Sequence, residues 1–99
     1  MSRSTRALPR PFKYHWGSGS IVEEASYEGL HHESAIQLLT YEDGEAAGGW
    51  SVRFCFYNLE GRFQRSPLLV GEDELDGLRA ALKQAPKLRG LLKRLVEEG

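Results

Sequence analysis

The chain has 99 residues, a formal net charge of −1 and one cysteine, which leaves room for a single modest core and excludes both a second independent domain and an intramolecular disulfide. No apolar run is long enough to span a bilayer and the first residues lack the apolar core of a signal peptide, so the expected compartment is the cytoplasm, with no membrane partner. The near-neutral sum argues against nucleic-acid binding by bulk positive charge, but residues 1–20 carry +4, residues 21–60 carry −7 and residues 61–99 carry +2, so both ends are basic and the middle is acidic.

Residues 1–12 contain Arg3, Arg6, Arg10 and two prolines without periodicity, and read as a flexible basic arm preceding a single α+β domain over residues 13–99. Phe12, Tyr14 and Trp16 then alternate with Lys13 and His15, an aromatic row that packs on the domain or forms an edge strand. Residues 20–28 have weak strand character, and residues 34–41 (SAIQLLTY) make a better strand. The acidic, glycine-rich stretch from Glu42 to Gly49 is expected as the mobile tip of a long hairpin.

Residues 50–57 alternate Trp50, Val52, Phe54 and Phe56 with Ser51, Arg53, Cys55 and Tyr57, which predicts an apolar core face and a second face free for function. Asn58-Leu59-Glu60-Gly61 supplies a turn into a fourth strand ending at Ser66. Pairing Tyr57 with Arg62 gathers Arg53, Tyr57, Arg62 and Gln64 on the second face, with Gln37 and Tyr41 beside them, and puts Arg65 on the core side near an edge. Gly71 and the acids Glu72, Asp73, Glu74 and Asp76 mark a helix start, Leu75, Leu78 and Leu82 share one helical face, and Pro86 ends or kinks that helix. A second helical segment follows in which Lys87, Arg89, Lys93 and Arg94 surround a leucine stripe, as a solvated amphipathic helix, a basic surface for phosphates or a seam for a second subunit. The expected fold is therefore a curved four-stranded antiparallel sheet followed by one kinked or two short C-terminal helices.

Few residues suggest chemistry. Adjacent His31 and His32 with Glu33 lack metal-ligand spacing, Cys55 reads as a buried structural thiol, and neither a catalytic arrangement nor a phosphate loop is legible, so no catalytic residue, metal or cofactor is expected. Cations and an aromatic on one sheet face are what a single nucleic-acid strand requires, which makes Arg53, Tyr57, Arg62 and Gln64 candidate nucleic-acid contacts and Lys87, Arg89, Lys93 and Arg94 an accessory basic surface. The alternative is a protein-interaction module using the basic C-terminal helix and the aromatic N-terminal segment.

Over residues 35–82 the pattern AIQLLTYEDG, WSVRFCFYNLEGRF and PLLVGEDELDGL resembles the single-stranded-DNA-binding transcriptional coactivators of the positive cofactor four family. The resemblance implies a homodimer formed through the C-terminal helix, single-stranded DNA along the strands, a role in transcription or DNA maintenance, and backbone or stacking contacts from Arg53, Tyr57, Arg62 and Arg65. The chain departs from the family in having Glu42-Asp43-Gly44-Glu45 where lysines are usual, Gly71 in place of a hydroxyl cap, and an added basic helix from Pro86 onward.

Overall fold

The computed structural model describes residues 6–64 and 67–97. Five antiparallel strands, β1 (Arg10–Tyr14), β2 (Gly17–Glu28), β3 (His32–Tyr41), β4 (Trp50–Asn58) and β5 (Leu68–Gly71), lie side by side in chain order. A single 3-10 turn (Glu72–Glu74) leads into helix α1 (Leu75–Leu82), and α2 (Pro86–Val96) follows. No helix among the described residues is long and apolar enough to cross a membrane.

This corrects the expected sheet of four strands to five. The aromatic row becomes an edge strand, pairing Phe12 with Gly19 and Tyr14 with Gly17. Glycine is required at position 19, because a Cβ there would lie 1.9 Å from the Thr40 carbonyl oxygen of β3. Of the strand expected to end at Ser66, the described residues form one bridge, Tyr57 opposite Phe63, and the ladder is found again further on with Val52 opposite Val70. Asn58 explains the shift: its side-chain oxygen accepts from the N–H groups of Glu60 and Arg62, and its own N–H donates to the Arg62 carbonyl at 2.9 Å, so Arg62 is taken into the turn and the register moves by one residue. Since strand side chains alternate, that step turns Arg62 away from Tyr57 and brings Phe63 to it.

Of the expected flexible arm, residues 1–5 lie outside the described residues, whereas Arg6 is bonded to Glu33 of the sheet and the first strand begins at Arg10. The acidic hairpin tip also folds back. Asp43 accepts from the N–H and hydroxyl of Ser18 at 2.8 and 3.0 Å, Glu42 accepts from the Ser20 hydroxyl, and the Glu45 N–H donates to the Trp16 carbonyl. Gly44 sits at φ +82°, and a Cβ there would meet that same carbonyl oxygen at 2.2 Å, so only glycine permits the approach.

The sheet is rolled. Phe12 of β1, Ile21 of β2 and Leu39 and Tyr41 of β3 form the buried cluster, and Leu69 of β5 packs against it although three strands separate β5 from β1. A register shift between Ile21 and Glu23 lets the twelve-residue β2 bend, so that β1 overhangs the same face. That face carries Arg53 and Tyr57, each 6 % exposed, and it is the interior one. The face expected to be core keeps Trp50, Phe54 and Phe56 at 38–45 % exposure beneath the two helices.

Candidate functional site

The interior face is polar at one end, and Gln37 is its hub. The amide nitrogen donates to Glu24 Oε2 at 2.6 Å and to the Tyr57 hydroxyl at 2.9 Å, while Oε1 accepts from Arg53 Nε at 2.6 Å and from the Cys55 thiol at 3.3 Å. Both amide hydrogens and both oxygen lone pairs are therefore used. Arg53 also donates to the Tyr14 hydroxyl at 3.0 Å, which joins β4 to the overhanging β1, and its guanidinium lies 4.7 Å from the Phe63 ring centre. Arg10 donates to Glu24 at 3.1 Å.

Arg6 closes the network. It donates through both terminal nitrogens to fully buried Glu33, at 2.7 and 3.3 Å, and its guanidinium covers the Tyr57 ring at 3.7 Å from the centroid. The hydrogen bonds to Glu33 raise the Arg6 pKa against a smaller opposing effect of burial. For Arg10, partial burial pulls the pKa down, but the bonds to Glu24 and Tyr57 outweigh it and the result is also a rise. Burial pushes the Cys55 thiol up, against the pull of neighbouring Arg53, so the thiol stays protonated and donates.

The sequence-derived residues therefore separate. Arg53 and Tyr57 meet inside this network with Gln37, and Tyr41 sits in the apolar cluster. Arg62 is exposed and Gln64, half-buried, donates to the Arg62 carbonyl; Arg65 lies outside the described residues. Lys87, Arg89, Lys93 and Arg94 are all exposed on α2. Sequence reasoning missed Arg6, Arg10, Tyr14, Glu24 and Glu33. The signal was the polar members of the row Glu33, Ala35, Gln37, Leu39 and Tyr41, a buried alternation carrying one acid and one amide that oblige partners elsewhere in the chain.

The open surface is on the other side. Helices α1 and α2 lie across Ile36, Val52 and Phe54 without sealing against them, leaving an open groove of about 490 Å³ whose helical wall is Leu82, Leu92, Leu95 and Val96 with Arg89 and Lys93 on its rim. Neither helix contains a buried residue, and Leu75, Leu78, Leu88, Leu91, Leu95 and Val96 are 47–77 % exposed. His31 and His32 are exposed, the second packing on Phe56, and no group of three His, Cys, Asp or Glu among the described residues is placed to hold a metal ion. Comparison with protein-family models, with curated proteins and with solved structures finds no match.

Proposed function

We propose that the protein is a small non-enzymatic interaction module that works as a homodimer, two copies meeting through α1, α2 and the sheet face beneath them. The observation that carries it is the row of six exposed apolar side chains on the two helices, with Trp50, Phe54, Phe56 and Leu68 exposed on the sheet. Helices of eight and eleven residues are marginal in water and draw their stability from a covered face. Large apolar side chains left exposed together on the helices and on the sheet beneath them are the kind of surface that a protein contact covers.

Charge favours a second copy as the occupant. Helix α2 bears Lys87, Arg89, Lys93 and Arg94 and no acid, whereas the approach to α1 bears Glu72, Asp73, Glu74 and Asp76. A two-fold pairing that lays α2 of one copy along the α1 entry of the other brings the opposite charges together twice. Sedimentation equilibrium at micromolar concentration should give twice the 11.2 kDa chain mass, and Leu91→Glu with Leu95→Glu should return it to 11.2 kDa while the strand dichroism of the sheet persists. A wild-type monomer would refute the assignment.

A second reading, single-stranded nucleic acid as ligand, is favoured by Arg89 and Lys93 standing beside the exposed Phe54 ring in one groove, cations next to a stacking surface. The resemblance to the positive cofactor four family supports the same ligand and a role in transcription or DNA maintenance. Because Arg53 is committed to Gln37 and Tyr14, the informative charge reversal is Arg89→Glu with Lys93→Glu. Anisotropy of labelled single-stranded and duplex DNA should show a salt-sensitive preference for the single strand that this pair abolishes. Absence of binding at low salt would remove the reading and leave the dimer standing.

A further inference from the structure

Strand β2 outruns the strand beside it. The β1 ladder ends where Arg10 meets Ile21, and β2 continues to Glu28. Among the described residues no strand pairs with the outer edge of residues 22–28, because the chain before Arg10 leaves the ladder and sends Arg6 across the interior face to Glu33. That stretch therefore presents N–H and C=O groups in extended geometry to which a further strand can bond.

The inward row of this edge is Glu24, Ser26 and Glu28, opposite Gln37, Ala35 and Glu33 of β3. Glu24 is spent on Gln37 and Arg10. Ser26 Oγ and Glu28 Oε1, by contrast, are buried with no hydrogen-bond partner. Buried polar atoms rarely stay unmet, and these two belong to the same face of the same unpaired edge. Glu23 adds an exposed carboxylate beside them, and no lysine or arginine occurs between Lys13 and Arg53. A cationic donor is the guest this row accepts. The chain carries its own example, since Arg6 gives both terminal nitrogens to Glu33, the residue opposite Glu28, with its guanidinium over the Tyr57 ring.

We propose that residues 22–28 form a docking edge for an extended, arginine-bearing peptide of another protein, which adds as a strand antiparallel to β2 and in line with β1. Backbone bonds to the edge hold the peptide, and its alternate side chains fall on the interior face with Cβ atoms about 5 Å from those of Glu24, Ser26 and Glu28. An arginine there supplies the donors that Glu28 and Ser26 lack. Charge disfavours a second copy as the occupant, because pairing two such edges sets Glu23, Glu24 and Glu28 against themselves. The α2 groove takes no residue from β2, so the proposal stands apart from the dimer.

Titration of the full ¹⁵N-labelled chain tests this with forms of one hexapeptide, Thr-Arg-Val-Arg-Val-Thr: unmodified, with both arginines replaced by citrulline, and N-methylated at either the arginine or the valine amides. Saturable shifts at the amides of residues 22–28 are expected with the unmodified peptide, and about tenfold weaker binding of the citrulline form. One of the two methylated forms, the one whose methyl groups face β2, should lose at least about tenfold as well. Glu28→Gln should weaken the arginine peptide about tenfold and leave the citrulline peptide unchanged. The peptide series on the wild-type chain decides the matter even if that variant folds poorly. Equal binding of the arginine and citrulline forms, indifference to both methylations, or unmoved amides at residues 22–28 with millimolar peptide would overturn the proposal.

Discussion

At the scale of single residues, Gln37 shows how much one amide can organise. Replacing it with leucine keeps much of the volume but takes one partner each from a carboxylate, a phenol and a guanidinium inside the sheet, and the expected loss is about 3 kcal/mol, seen as a lower urea midpoint with an unchanged slope. Arg6→Ala acts on the same network from outside. It removes the two bonds to buried Glu33 and uncovers the Tyr57 ring, with an expected cost of about 3 kcal/mol. Cys55 reports the network by pH. Its pKa is raised by burial, so the native chain holds the thiol proton more tightly than the unfolded chain does; that contribution to stability is complete below the ordinary thiol range and is lost as pH rises through the native value. Alkylation of Cys55 at mildly alkaline pH should therefore be slow in the native protein and fast in urea, and Cys55→Ala should flatten the alkaline fall in stability.

At the scale of elements, β3, β4 and the two helices are legible in the sequence because alternation and leucine spacing persist over eight residues or more, long enough to outweigh local exceptions. The inside of the sheet is not. Trp50, Val52, Phe54 and Phe56 look like the more buried row, yet Ser51, Arg53 and Tyr57 are the buried ones, since β1 rolls over the polar row and satisfies it while the apolar row receives only two loose helices. Hydrophobicity alone cannot rank two faces when one closes with hydrogen bonds. The shifted hairpin was hidden for a more local reason, the Asn58 side chain drawing Arg62 into the turn, and Asn58→Ala should loosen that turn by about 1 kcal/mol. Of the candidate site, the basic residues of α2 were readable from spacing, whereas the network around Gln37 draws Tyr14, Glu24 and Arg53 from three strands whose pairing no periodic signal announces.

At the scale of the whole molecule, the two sides of the sheet divide the work. The interior side spends its charge on cohesion, joining the first strand to the fourth, and the helical side keeps its apolar surface available for association. If the chain is a dimer, its thermal midpoint rises with protein concentration, and Leu91→Glu with Leu95→Glu removes that dependence while leaving the Gln37 network intact.

Strand order that equals chain order has a kinetic side. Every ladder from β1 to β5 is closed by a neighbour in sequence, so the meander can zip from hairpin to hairpin without a long loop. The roll cannot: the bonds from Arg53 to Tyr14 and from Arg10 to Tyr57 bridge 39 and 47 positions. Rolling is then the late event of folding, with the rate-limiting state already a zipped but open ribbon. Tyr14→Phe should consequently leave the refolding limb of a chevron almost unmoved and steepen the escape from the native state, the mark of a clasp that fastens last and lets go first.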